Sequence, residues 1–161
     1  MGKIFEVRKS RIDHNGLFAT VPIRQGELIC RMEGEEISIP ELKRRYASGC
    51  ERLTDPLQVR EDRYIDLDEP FVYLNHSCDP NATMRGYNEL VAIRDIKSGE
   101  EITIDYSLTE WSDDEDWAEY DNWTMACACG STACRKTIRE FCFLPEQMQK
   151  ERIAQKRVQD F

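Results

Sequence analysis

No run of the roughly 18 consecutive apolar residues that a bilayer-crossing helix needs occurs in the 161 residues. The N-terminus, Met1-Gly2-Lys3-Ile4-Phe5-Glu6, lacks the apolar core of a signal peptide. The expectation is a chain made in the cytosol, cytoplasmic in a bacterium, with no membrane partner. No internal repeat or low-complexity array is visible, which sets aside solenoids and fibrous arrays. Positive charge is in short supply: 22 Lys and Arg stand against 31 Asp and Glu, a net charge of −9. An acidic body repels phosphate backbones and attracts cationic chains, so a basic protein or peptide is the expected partner and direct nucleic-acid binding is not. The seven cysteines are an odd number, and three of them crowd together in a way that suits a metal better than a disulfide framework.

The length allows one compact domain plus a tail. Short segments rich in β-formers recur at 4–7, 17–21, 27–32, 57–60, 64–67, 89–93 and 101–106, most bounded by Gly, Pro, Asn or Asp. The pattern predicts a mainly β fold with few short helices. One helix interrupts the strands: Ser38 with Glu41 three residues later forms a capping box, Pro40 suits a first turn, Leu42 and Tyr46 share a face, and Gly49 can end it. Residues 110–121 hold seven acidic groups with Trp111, Trp117 and Tyr120 and read as a linker or flap. Beyond Leu144-Pro145 a polar stretch to Phe161 predicts a C-terminal helix.

Three segments carry chemistry. In Tyr73-Leu-Asn-His-Ser-Cys-Asp-Pro-Asn81, hydrogen-bonding side chains follow directly on an apolar run, as in a polar site built against the core; a turn with Asx and Ser capping would look similar. Ser98-Gly-Glu-Glu-Ile-Thr-Ile-Asp-Tyr106 is a turn feeding an alternating strand that ends in a tyrosine. Cys127-Ala-Cys129-Gly-Ser-Thr-Ala-Cys134 places three thiols around a Gly-Ser turn, suited to a small tetrahedral ion. By spacing alone the fourth ligand could be Cys142, Cys78 or His76.

Together these segments resemble the SET-domain lysine methyltransferases with their post-SET cysteine motif. Asn75-His76-Ser77-Cys78-Asp79-Pro80-Asn81 is similar to the family's N-H-S-C-x-P-N signature, residues 99–106 to its G-E-E-[LI]-T-x-D-Y strand, and Cys127-x-Cys129-x4-Cys134-Arg135 to its post-SET pattern. The resemblance implies a SET fold of several small sheets with a pseudoknot in residues 1–106, a linker at 107–126, a zinc-stapled post-SET segment at 127–143 and a helical tail at 144–161. It implies S-adenosylmethionine as cofactor, contacted by Asn75, His76 and Tyr106 and by backbone groups of the loop Asn15-Gly16-Leu17-Phe18. It implies one structural Zn2+ on Cys78, Cys127, Cys129 and Cys134, with a histone-like basic tail as substrate. Tyr106 would be the catalytic residue, and Tyr73 and Ile104 would line the substrate channel. The resemblance leaves the oligomeric state open.

The chain departs from the family at three places. His14 stands where the early G-x-G loop has its first glycine. Val72 stands where many relatives carry an arginine, so Tyr64 or Arg63 becomes the candidate for the lost cofactor contact. Ile104 replaces the aromatic residue that helps limit methylation, which leans toward more than one methyl. Two rival readings stand beside it: a catalytically silent SET fold that binds basic polypeptides, and a small zinc-binding interaction protein whose acidic patch recruits a basic partner and whose cofactor motif is coincidental.

Overall fold

The computed structural model describes residues 4–49, 55–110 and 124–155. Along the chain run β1 (Phe5–Lys9), β2 (Asn15–Ala19), β3 (Leu28–Arg31), β4 (Gly34–Ser38), helix α1 (Ile39–Ala47), β5 (Pro56–Arg60) and β6 (Arg63–Leu67). There follow β7 (Asn75–His76), β8 (Ala82–Arg85), β9 (Glu89–Ala92), β10 (Glu101–Ile104), β11 (Met125–Ala126), β12 (Thr137–Ile138) and helix α2 (Glu146–Ala154). The strands form four small sheets, ordered β1-β2-β10-β7, β3-β9-β8, β4-β6-β5 and β11-β12. The fold is mainly β with few helices, as the sequence predicts. Among the described residues no helix is long and apolar enough to cross a membrane.

One apolar cluster joins three of the sheets. Leu17 from β2, Ile102 from β10, and Leu90 and Ala82 from β9 and β8 are all at 0% exposure within it. Burying a leucine or isoleucine of this kind contributes about 1.5–3 kcal/mol. A second cluster sets α1 against its sheet: Leu42 packs on Ile37 and Tyr64. The Ser38 side chain accepts the Glu41 N–H, and Gly49, at φ +71°, turns the chain away after Ser48. The Glu41 carboxylate accepts from Arg44 (2.8 and 2.6 Å) and Arg45 (2.9 Å) rather than completing the predicted box. Arg45 also pairs with Glu35 and Asp66, which fastens the helix to β4 and β6.

Of the strands longer than two residues, two escaped the sequence reading, β4 (GEEIS) and β8 (ATMR). Neither is rich in β-formers; each is extended because a neighbour pairs with it, Ile37 with Tyr64 and Thr83 with Val91. The C-terminal helix is described over Glu146–Ala154, and the aromatic, acidic stretch 111–123 lies outside the described residues.

The feature that positions the site is a two-residue parallel pairing of β7 with β10, Asn75 opposite Thr103 and His76 opposite Ile104. The last residue of the first motif, Asn81, locks it. Its side chain accepts the Thr103 N–H (2.9 Å) and donates to the Glu101 carbonyl (2.7 Å) and to the Glu100 carboxylate (3.1 Å). Asn81 is 1% exposed, so truncating it strands buried backbone groups. Asn81→Ala is expected to destabilise the fold by about 2–4 kcal/mol, read as a lower denaturant midpoint; a change below about 0.5 kcal/mol would contradict this role.

Candidate functional site

The strand pairing sets two polar residues beside the start of β2. Asn75 Nδ2 donates to the Asn15 carbonyl (2.8 Å) and to Glu101 Oε1 (2.8 Å). His76 lies one residue on, 3% exposed, with Nδ1 accepting the Tyr106 N–H at 3.1 Å. An Nδ1 that accepts must carry no proton, so the imidazole is neutral with its proton on Nε2, which faces Cys78 Sγ at 3.3 Å. Burial is the main cause that pushes His76 down to about 4, with Asp105 opposing and Arg135 assisting. His76 therefore orients Tyr106 and does not act as a base at neutral pH.

Tyr106 opens a 3-10 turn whose cap is Asp105, and its hydroxyl donates to the Leu74 carbonyl at 2.7 Å. It stands between two cavities. One, about 230 Å³, is bordered by His14, Asn15, Asn75 and His76 on one side and by Met125, Ala126 and Ile138 of the β11-β12 pair on the other. The second, about 30 Å³, is a mainly apolar slot among Met32, Leu57, Leu67, Leu74 and Ile104, with Glu110 also at its wall. Val72 and Tyr106 border both.

The sequence-predicted residues divide accordingly. Asn15, Asn75, His76 and Tyr106 meet at the larger cavity, and Ile104 lines the slot. Tyr73 borders the larger cavity instead of the slot, its hydroxyl donating to Glu69 at 2.6 Å. Tyr64 reaches neither cavity. It is buried on Leu42, and its hydroxyl donates to Glu110 Oε1 at 2.7 Å, so it holds a wall of the slot from behind. Leu17 points into the core, and Phe18 lies under the Arg8 guanidinium, 4.4 Å from the ring centroid. Gly16 serves by its lack of a side chain: a Cβ there would sit 2.8 Å from Glu101 Cδ and 3.1 Å from Asn75 Nδ2. His14, at φ +27° and largely solvent-facing, adopts with a side chain the left-handed backbone that glycine takes readily.

The four cysteines Cys78, Cys127, Cys129 and Cys134 bring their sulfurs within 4.8 Å of one another. Cys142 is not in the group. Tetrahedral bonds of about 2.3 Å from sulfur to zinc would separate the sulfurs by about 3.8 Å, and Cys78 and Cys127 Sγ lie 3.7 Å apart. Backbone N–H groups of Arg135 and Lys136 donate to Cys78 and Cys134 sulfurs at 3.3 and 3.4 Å, as they would to thiolates. Burial pushes the Cys78 and Cys127 thiols up, while N–H donors from Cys78 and Ser131 outweigh burial at Cys129 and bring it down to about 6. Four thiolates this close together need a cation between them, so the donor set fits a closed four-thiolate metal site.

Arg135, which the motif reading noted only as part of a pattern, makes a two-pronged contact with the buried Asp105 carboxylate (2.8 and 2.6 Å). Glu101 and Asn81 are likewise unassigned by the sequence reading, although both fall inside the motifs. For Glu101 the available signal was its alternation with Ile102 and Ile104 on β10; Asn81, just ahead of β8, had only its place in the motif.

A mainly β fold with these motifs paired side by side and a cysteine knuckle beside them defines a SET domain. The SET domain family matches residues 14–107, and the chain belongs to it. It is 31% identical over 140 residues to the H3 lysine-4-specific histone-lysine N-methyltransferase of Eremothecium gossypii, a match covering 79% of this chain and 14% of that protein. It superposes on ctPRC2 in an autoinhibited conformation bound to S-adenosylmethionine with TM-score 0.58 and 28% identity, covering 68% of this chain and 16% of that one. The methyltransferase domain of human SETMAR shares the fold at TM-score 0.65 and 23% identity, covering 84% of this chain and 58% of that one.

Gly16→Ala is expected to cost about 1–3 kcal/mol by displacing Glu101 and Asn75. Shortening Glu101 to alanine in the same chain should recover part of the loss; additive losses in the denaturation of the double variant would contradict the contact.

Proposed function

We propose that the chain is an S-adenosylmethionine-dependent protein-lysine methyltransferase domain acting on a basic, histone-like segment. The observation that carries this reading is the meeting of a larger, partly polar cleft and a narrow, mainly apolar slot at one tyrosine. The slot suits the aliphatic stem of a lysine, and the cleft, with Asn15, Asn75 and His76 on its polar side, suits the cofactor. S-adenosylmethionine, when bound, supplies an electrophilic methyl group on a positive sulfur.

The chain's own part is to align, to exclude water and to favour the neutral amine. A free lysine has a pKa of about 10.4, so on the order of one in a thousand is uncharged at pH 7. Desolvation among Leu57, Leu74 and Ile104 lowers that pKa, and a nearby sulfonium lowers it further. No strong base is then needed, consistent with a neutral His76 committed to the Tyr106 amide. Tyr106 spends its hydroxyl proton on the Leu74 carbonyl, so toward the amine or the polarised methyl its oxygen acts as an acceptor. Alignment of this kind accounts for much of the rate of an in-line displacement. The net charge of −9 favours a cationic substrate, and a substrate in chromatin would place a eukaryotic protein in the nucleus.

In an assay of labelled methyl transfer to histones and basic peptides, Tyr106→Phe is expected to lower kcat by about 100-fold or more while S-adenosylmethionine binding stays within about threefold. Product masses from the unmodified chain read the methyl number, and Ile104 favours products beyond monomethyl-lysine. Cofactor binding without transfer to any substrate would favour a silent binding module instead.

The metal in the knuckle is proposed to be zinc, held by Cys78, Cys127, Cys129 and Cys134. Purified protein should then carry about one zinc per chain. Cys129→Ser or a strong chelator should remove it and speed amide exchange across the knuckle, residues 127–138, while β2, β8 and β9 stay protected. Full zinc content in Cys129→Ser would contradict the ligand set.

A further inference from the structure

We propose that Arg135 is a positioning residue for Tyr106, acting from the cysteine knuckle through Asp105; this rests on the reading of Tyr106 as the catalytic residue. The backbone N–H of Arg135 donates to Cys78 Sγ at 3.3 Å, so the four-cysteine cluster sets where its side chain starts. Its guanidinium then donates to Asp105 Oδ2 (2.8 Å), Asp105 Oδ1 (2.6 Å) and Ser107 Oγ (3.1 Å). Asp105 and Ser107 are the two neighbours of Tyr106 in the chain, so Arg135 grips the tyrosine's turn from both sides.

The Asp105 carboxylate is itself the cap of that turn, accepting the Ser107 N–H at 3.1 Å. At 2% exposure it has little water to solvate its charge. The other basic group at hand, His76, is 3.5 Å away with its Nδ1 taken by the Tyr106 N–H, so Arg135 is the cation that makes a buried carboxylate tolerable there. Without it, Asp105 must swing toward solvent, which loosens the cap on which the Tyr106 hydroxyl depends for its aim at the Leu74 carbonyl. The planar two-pronged fork explains arginine at this position, since a lysine ammonium offers only a point contact. Arg135 thus carries the order of the knuckle into the site.

The test uses the full chain loaded with metal, comparing Arg135→Gln and Arg135→Lys with the unmodified protein. Arg135→Gln is expected to keep its metal and its S-adenosylmethionine affinity within about twofold, while kcat falls about tenfold or more; Arg135→Lys recovers to within about threefold. Amide exchange at Tyr106 and Ser107 should quicken by about tenfold in Arg135→Gln, with the Lys136 amide on Cys134 unchanged. Unaltered exchange at Tyr106 and Ser107 would overturn the proposal, as would a loss of kcat fully accounted for by lost metal or weaker cofactor binding. The exchange readout needs no turnover: an inactive unmodified chain would count against methyl transfer and still decide the role of Arg135.

Discussion

Two residue pairs, Asn75 with Thr103 and His76 with Ile104, hold together segments nearly thirty positions apart in the chain, and almost every feature of the site hangs on that parallel pairing. A ladder of two residues supplies too few hydrogen bonds to persist by itself. It persists because both strands are fixed from the other side: β10 pairs with β2 and belongs to the main core, while Asn81 returns from the end of the first motif to bond the backbone of Glu101 and Thr103. The polar residues of the N-H-S-C-D-P-N run are therefore divided between two tasks. Asn75 and His76 face the cleft, and Asn81 secures the pairing that puts them there.

Electrostatics reinforce this arrangement with few charges. The Asp105 carboxylate and Arg135 guanidinium form a largely buried pair whose oxygens and outer nitrogens are occupied by one another and by Ser107. Breaking a pair of this kind by removing one partner leaves an unsolvated charge, which typically costs about 3–5 kcal/mol. A neutral His76 lies next to the pair and next to Cys78, accepting from the Tyr106 backbone on one nitrogen and presenting N–H to sulfur on the other. The imidazole thus separates the carboxylate from the sulfur cluster while bonding to the tyrosine between them. Core strand, tyrosine turn and cysteine knuckle become one connected network, so disorder in the knuckle is felt at the turn.

The sequence made this network legible where a long motif forces residues into one place. Asn75, His76, Cys78 and Tyr106 sit in segments whose order and spacing leave little freedom, and the cysteine cluster excludes Cys142 as the motif order implied. It was less legible where one residue could serve either of two surfaces. Tyr64 is equally plausible as a cofactor contact or a core residue on pattern alone; pairing of β6 with β4 turns it toward Leu42 and Glu110. Tyr73 ends a 3-10 turn, Phe71–Tyr73, and no strand or helix period foretells which cavity its ring borders. Leu17 and Phe18 were expected to offer backbone groups to a cofactor; residues 15–19 form a strand whose Leu17 and Phe18 side chains turn to the core and to Arg8, while Asn15 at its end borders the cleft. β4 and β8 were invisible because tertiary pairing, not composition, extends them.

The residue change at position 72 acquires a physical meaning once both cavities are known. Val72 borders the cleft and the slot together with Tyr106, so an apolar side chain lines the passage where many relatives carry an arginine. For the proposed reaction that is an advantage, because a fixed cation at the junction would repel both an entering ammonium and a sulfonium. Glu110, the one acidic group among the described residues at the slot, would by contrast hold the amine in its charged, unreactive form if its full charge faced the passage. Its carboxylate instead accepts the Tyr64 hydroxyl at 2.7 Å, which draws charge toward the core side of the slot. For that reaction, an attracting carboxylate bonded to Tyr64, in a slot otherwise lined by residues such as Val72, Leu74 and Ile104, would let a cationic stem enter and lose its proton as it becomes desolvated.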